Sequence, residues 1–488
     1  MVETLNQKGQ RHCRNLAIFA GQAFNMENRI LFPPRWHFLK QPLKRRLKRR
    51  LAEATARLGL ALYLFVSLAA PAHAFGIRDA EIEELMRDYS KPLFIAAGLN
   101  PDDIGLTLIN NRGLNAFVAM GQNIFVNTGL LLESDEPNMV IGVLAHEIGH
   151  ITGGHLARNM DAMSRAQAPT LVTTILGFGS LIAGNPEAGM ALLAGGQQVA
   201  ERTYLTHSRA QEASADVTAL QLLEATEQSP NGIIDLMDSL AAQEIVSEVH
   251  QDPYARSHPM SRDRFNAYLA GAAKSPYAKK RDNPELIARH RMAQAKIIGF
   301  MDPPESTFRQ YPNNDSKPAL YARAIAFHRQ AQINEAIELI DVLIALEPDN
   351  PYFHELKGQI YYESGRPAKG LAPYQRALAL KPNEPLLMIG LAMCQVETGT
   401  NGGDINHQAI ENLRAALRLD PENHSAYRQL FKAYGQIDQV AYAQWALAEY
   451  HALLRSPAAV KHAKRAMRGL PKTSAEFLRA RDIVATSF

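Results

Sequence analysis

The five residues 146–150, His-Glu-Ile-Gly-His, constrain the local fold more than any other part of the chain. Residues four apart on an α-helix lie one turn apart on the same face, so a helical run lets His146 and His150 bind one cation together. Glu147 lies beside them and can act as a general base. The preceding apolar residues repeat with helical spacing, at Met139, Val140, Val143 and Leu144. The run therefore predicts a metal-binding helix with a carboxylate next to the metal.

A catalytic metal site of this type needs a third protein ligand. Gly153 fits the longer pattern His-Glu-x-x-His-x-x-Gly-x-x-His, but Leu156 stands where its last histidine should be, which leaves His155 as a helix-face or capping residue. Glu212 is the better candidate, because it shares a helix face with Asp216 four residues later. We expect Glu212 to bind the metal and Asp216 to orient a ligand or catalytic group. The alternative is a solvated acidic surface at a helix start.

Several elements match one known family in chain order. They are the β-prone segments 115–121 and 124–130, His146-Glu147-x-x-His150, and Ser208-Arg209-x-x-Glu212-x-x-x-Asp216. Together they resemble the gluzincin-type endopeptidases typified by HtpX and the CAAX prenyl endopeptidase. The resemblance implies one Zn2+ per subunit, with His146, His150 and Glu212 as its ligands. It also implies Glu147 as the general base and Asp216 as a second catalytic residue.

The two β-prone segments predict a hairpin around Met120-Gly121-Gln122. In the resembled proteases an edge strand can pair with an extended substrate chain. Main-chain hydrogen bonds make such binding largely independent of the substrate sequence.

The segment Ser257-His258-Pro259 resembles a Ser/Thr-His-Pro segment of the same family, with Arg264 six residues after the histidine. The resemblance implies that His258 approaches the open metal position as a displaceable fourth ligand. Such a contact would keep the resting enzyme latent. The alternative is a loop histidine without metal contact.

The first 74 residues differ in composition from the rest of the chain. They hold 13 basic and 3 acidic side chains, so the remainder has 39 basic and 46 acidic ones. Because the remainder is mildly acidic, its charge gives no support for binding of nucleic acid. The basic cluster 44–50, an apolar run from Leu58 to Ala70 and the end Ala72-His73-Ala74 follow the order of a secretory signal. We expect cleavage after Ala74 and a soluble periplasmic protein. An uncleaved signal anchor is the alternative.

Residues 171–200 contain two apolar stretches with a polar break at 184–189. The corresponding region spans the membrane in integral members of the resembled family. Here each stretch is too short to cross a bilayer. Two interpretations stay open: packing in the core, or a lid that contacts a membrane surface or the substrate.

Prolines with a 34-residue period indicate a helical repeat array in the C-terminal part. Pro348 and Pro382 are 34 residues apart, the period of tetratricopeptide repeats, and Pro421 follows after 39. A proline-rich linker starts at Pro303. We therefore predict a mainly α protein with a small β-sheet. Its parts are a leader and signal peptide (1–74), a gluzincin-type zinc metalloprotease domain (75–305) and an α-solenoid of tetratricopeptide repeats (306–488).

An exported protease of this family joined to such repeats resembles periplasmic proteases that act on outer-membrane β-barrel proteins. The resemblance implies support of barrel assembly, degradation of misassembled clients, and binding of protein substrates and the assembly machinery by the repeats. One alternative is a repeat-based chaperone or adaptor with a silent zinc site. Another is a membrane-embedded prenyl-protein protease, which the lack of long apolar spans disfavours.

Overall fold

The computed structural model describes residues 76–158, 208–246, 258, 262–399 and 403–486, with side chains left out for 241–246. The leader with its expected cleavage site and the segment 171–200 lie outside the described residues, so both remain predictions. The described residues belong to one compact unit, 74–488. They form many helices and one small sheet, which confirms the mainly α class. No helix among them is both long and apolar enough to cross a membrane.

The N-terminal half surrounds a three-stranded sheet. Its strands are β1 (Gly105–Ile109), β2 (Ala116–Ala119) and β3 (Asn123–Asn127). The helices described in this half are α1 (Ala80–Ala96), α2 (Thr128–Glu133), α3 (Pro137–Thr152), α4 (residues 208–225), α5 (Asn231–Val246), α6 (Arg262–Lys274) and α7 (Pro284–Met301). A 3-10 turn, Pro101–Asp103, joins α1 to β1.

The sheet has the strand order β1-β3-β2, so β2 lies at an edge. β1 runs parallel to β3, and β2 pairs antiparallel with β3, with Ala119 opposite Asn123. The hairpin predicted around Met120 and Gly121 is therefore confirmed. Both turn residues have a positive φ, 51° and 88°. β2 also lies against α3, which carries the His-Glu-x-x-His motif.

Most residues of helix α3 are buried. Its apolar residues Val140, Val143, Leu144 and Ile148 are fully buried in the core shared with α1 and the sheet, and burying such a side chain contributes about 1.5–3 kcal/mol. Proline at the first helical position has a φ suited to a helix start. The backbone N–H of Asn138 donates to Asp282 (2.6 Å), and its side-chain oxygen accepts from the backbone N–H of Gly232 (2.7 Å). These bonds fix the start of α3 against two later segments.

The C-terminal half is an array of helix pairs. Its helices are α8 (Pro304–Gln310), α9 (Lys317–Arg329), α10 (Ile333–Leu346), α11 (Pro351–Glu363), α12 (Pro367–Leu380), α13 (Pro385–Thr398), α14 (Asp404–Leu419), α15 (His424–Gln436), α16 (Val440–Leu453), α17 (Ala458–Ala466) and α18 (Ala475–Thr486). The first helices of the pairs, α9, α11, α13 and α15, start 34, 34 and 39 residues apart, which agrees with the proline spacing.

The predicted proline-rich linker is helical over its first part and irregular over residues 311–316. α8 covers residues 304–310, and Met292 of α7 shares one apolar core with Leu320 and Ile325 of α9. The two halves are therefore joined by packed helices at this point. The expected boundary between residues 305 and 306 remains a prediction.

A buried ionic network ties the start of α1 to the first repeats. Lys296 of α7 is 3% exposed, and its Nζ lies 2.7 Å from Asp79 and 3.2 Å from Glu81. Tyr321 of α9 donates to Glu81 (2.8 Å), and Glu355 of α11 lies 3.8 Å from the lysine. Burial raises the pKa of Glu355 to about 8, although Lys296 opposes the shift. The ammonium group of Lys296 thus lies between the carboxyl groups of Asp79, Glu81 and Glu355.

Replacing the buried lysine should destabilise the fold. We expect Lys296→Met to lower the free energy of unfolding by about 3–5 kcal/mol, because Asp79 and Glu81, only 17% and 12% exposed, would lose the buried cation that pairs with both. Urea denaturation measures this loss. Lys280→Met is the matched control: its exposed pair with Glu227 should contribute less than about 1 kcal/mol. Equal losses in the two variants would contradict the assigned role of the network.

Candidate metal centre and active site

Helices α3 and α4 approach each other closely at Gly149. A Cβ atom at this position would lie 2.8 Å from the backbone oxygen of Ala215, so a larger residue would push the helices apart. The close approach places Glu212 and Asp216 of α4 beside His146 of α3. The packing of the two helices therefore explains why glycine occupies this variable position of the His-Glu-x-x-His motif.

Four residues that the sequence predicts as metal ligands lie together. His146, His150, Glu212 and His258 each offer one ligand atom, and these atoms lie within 4.8 Å of one another. His146 Nε2 is 3.1 Å from His150 Nε2 and 3.3 Å from Glu212 Oε2. His258 Nδ1 is 3.1 Å from Glu212 Oε2 and 3.4 Å from His146 Nε2. His258 therefore contacts the cluster rather than standing apart on a loop.

These separations fit a metal ion. Four ligands at about 2.0–2.1 Å from a tetrahedral centre would lie about 3.3–3.4 Å from each other, close to the four separations given above. Three imidazole nitrogens converge with one carboxylate oxygen in a buried space, and a cation at their centre satisfies all four lone pairs. The residues present thus fit a metal ion bound by nitrogen and oxygen.

A second group of polar residues contacts the candidate ligands on the side that faces away from the cluster. Asp216 Oδ1 lies 3.0 Å from His146 Nδ1, the ring nitrogen that faces away from the cluster. Arg264 donates to both oxygens of Asp216 (2.7 and 2.8 Å) and lies 3.0 Å from Glu212 Oε2. Asp216 thus contacts one candidate ligand and is not itself in the cluster. Only the six-residue separation from His258 pointed to Arg264 in the sequence.

The cluster is electrostatically prepared for a cation. Burial alone would lower the pKa of His146, but Asp216 and Glu212 outweigh it and raise the pKa to about 9. Burial lowers the pKa of His150 to about 2, and His146 adds to this shift. Burial would raise the pKa of Glu212, but hydrogen bonding to His146 and His258 lowers it. One positive charge is therefore favoured between the carboxylates even without a metal.

Glu147 is buried beside the cluster, and its carboxyl group lacks hydrogen-bond partners among the described residues. It is 1% exposed, and neither carboxyl oxygen accepts a hydrogen bond within the described part of the chain. His258 Nε2 lies 3.4 Å from its Oε1, and the backbone N–H of Val118 on β2 approaches without reaching hydrogen-bond geometry. Burial raises the pKa of Glu147, although His258 and His146 oppose the shift. Buried polar atoms of this kind suit a place where water or substrate binds.

His155, predicted to be a helix-face or capping residue, makes a contact that the sequence does not predict. The residue is 2% exposed, and its Nδ1 lies 2.9 Å from Nδ1 of His150. It is therefore a buried neighbour of a candidate ligand. Only the local turn, and no motif, brings the two rings together.

The comparisons with known proteins agree with this site. Residues 77–270 match Peptidase family M48. The chain is 27% identical over 342 residues to the beta-barrel assembly-enhancing protease of Yersinia pestis, covering 68% of each chain. It is 24% identical over 355 residues to the protein of that name from Escherichia coli (strain K12), covering 68% of this chain and 72% of the relative. A shorter match of 132 residues, 24% identical, joins 27% of this chain to 24% of the Gallus gallus protein DnaJ homolog subfamily C member 3.

These matches define the class of the protein. The chain is a metalloendopeptidase: residues 77–270 match Peptidase family M48, and an array of helix pairs follows them. Over about two thirds of its length it is similar to the beta-barrel assembly-enhancing proteases. The resemblance inferred from the motifs is therefore confirmed.

Proposed function

We propose that this protein is a zinc-dependent endopeptidase of the periplasm that supports outer-membrane β-barrel assembly and degrades misassembled clients. The observation that carries the enzymatic part is the buried cluster of three histidines and one glutamate with Glu147 beside it. The printed names of the two bacterial relatives support the client class. The predicted leader supports the compartment.

The proposed chemistry assigns a separate task to each polar residue. Zinc, held by His146, His150 and Glu212, would polarise the scissile carbonyl and lower the pKa of a water molecule. Glu147 accepts a proton from the attacking water and later donates it to the leaving amine, a task that suits a carboxyl with a raised pKa. Asp216 Oδ1, 3.0 Å from His146 Nδ1, would accept the hydrogen of that nitrogen in the metal-bound site and so keep Nε2 directed into the cluster.

The edge strand β2 is the proposed substrate platform. It lies against α3, and Val118 is the strand residue whose backbone approaches Glu147. An extended client segment added at this edge would place a peptide bond next to the general base. Because the pairing would use main-chain groups, it suits unfolded clients of varied sequence.

The repeat array is the proposed docking surface for clients and for the assembly machinery. Stacked helix pairs expose an extended surface suited to another protein chain. Residues 171–200, outside the described part, remain our proposal for a peripheral membrane contact. If a variant without proteolysis still supported barrel assembly, the array would have an activity of its own.

Glu147→Gln tests the enzymatic proposal. We expect degradation of an unfolded β-barrel client to fall by about 10²–10⁴-fold, because the amide cannot take the proton. Zinc content, measured by mass spectrometry, should stay at the wild-type value because Glu147 is not a ligand. Glu227→Gln, at an exposed position, is the control. Equal degradation by Glu147→Gln and wild type would refute the protease assignment.

We further propose that His258 keeps the site latent. Its Nδ1 joins the three other ligand atoms, so it would fill the position that a substrate carbonyl or water needs. Arg264 lies 3.4 Å from the backbone oxygen of His258 while it holds Glu212 and Asp216. The same arginine thus links the histidine to the cluster. Displacement of His258 would open the site.

His258→Ala should open the site permanently. If the closed form is about 90–99% populated, the rate of client degradation should rise about 10–100-fold, since the competent fraction limits the rate. Zinc content should persist through the other three ligands. His407→Ala, at an exposed position, controls for loss of a histidine. An unchanged or lower rate with zinc retained would contradict the gate.

A further inference from the structure

His150 makes a close contact on the side that faces away from the ligand cluster. Its Nε2 lies in the cluster, 3.1 Å from His146 Nε2, while its Nδ1 lies 2.9 Å from Nδ1 of His155. The rings of His150 and His155 meet edge to face, at 78°, with centroids 4.9 Å apart. The contact is thus directional and buried.

Two glycines allow this arrangement. Helix α3 ends at Thr152, and Gly154 adopts a φ of 59°, which glycine tolerates best. A Cβ atom on Gly153 would lie 2.4 Å from Nε2 of His155, so a side chain there would displace the ring. The chain therefore turns back, and the imidazole of His155 covers the last turn of α3.

The distance between the two Nδ1 atoms restricts where the hydrogens lie. Two ring nitrogens 2.9 Å apart form a hydrogen bond only if one carries a hydrogen and the other accepts it. A metal-ligating nitrogen must be free of hydrogen, so Nε2 of His150 is bare when it binds a metal. Its hydrogen then lies on Nδ1, and His155 must accept it.

We propose that His155 is a positioning residue that holds His150 in the metal-binding tautomer and ring orientation. This inference rests on the proposed ligand role of His150. The site would then orient its two helix histidines differently: a carboxylate, Asp216, holds His146, whereas an imidazole holds His150. The backbone oxygen of His155 also lies 3.4 Å from the side-chain amide of Gln211 on α4, the residue next to Glu212.

Zinc affinity of purified full-length protein, measured by competition with a chromophoric chelator, tests this role. His155→Phe keeps a planar ring but removes the acceptor, and should weaken zinc binding about 10–100-fold. His155→Asn, whose Oδ1 can take the place of Nδ1, should stay within about 3-fold of wild type. Thermal unfolding of the metal-free proteins shows whether each variant folds. His155→Leu replaces the phenylalanine variant if that one does not.

The outcomes separate this inference from the proposed function. Wild-type affinity in a folded variant without the acceptor would overturn the inference. An equal loss in the asparagine variant would also overturn it, because ring packing rather than the acceptor would then matter. A wild-type protein without measurable zinc affinity would instead contradict the proposed function.

Discussion

The close approach of α3 and α4 at Gly149 is the constraint on which the site depends. Because no side chain separates the helices there, Glu212 and Asp216 reach His146 directly. Two buried carboxylates side by side would cost several kcal/mol each if left unpaired. Arg264 from α6 contacts both and offsets that cost. The pairing leaves a cluster with a strong preference for a cation.

The same half of the molecule is bound to the repeats through α1. This helix packs against α3 in the core, and its first turns contact the first two helix pairs of the array through Glu81 and Glu84. Arg78, just before α1, pairs with Asp420 (2.8 Å), Glu84 pairs with Lys381, and Lys296 joins the start of α1 to the first repeats. Helix α3, which carries the motif, and the repeat array therefore both contact α1 and the residues just before it. A protein bound to the array would have a defined position relative to Glu147.

Local patterns were enough to predict much of this structure. His146 and His150 lie on one helix because their spacing requires it, and the hairpin at Met120 follows from β-prone residues around a turn. The contact between His155 and His150 could not be read from spacing, because it depends on the turn that the chain makes at Gly153 and Gly154. The double pairing of Arg264 could not be predicted either, because it depends on how distant segments meet. The first part of the predicted linker, residues 304–310, is helical, since Pro304 suits a first helical position and the flanking helices α7 and α9 pack together.

The central claim is that the cluster of three histidines and Glu212 holds zinc in the resting protein. A crystal structure of the zinc-loaded wild type, with anomalous data at the zinc edge, tests it most directly. We predict one anomalous peak about 2.0–2.2 Å from ligand atoms of His146, His150, Glu212 and His258. A peak elsewhere, or a zinc site at which His258 makes no contact, would contradict the account.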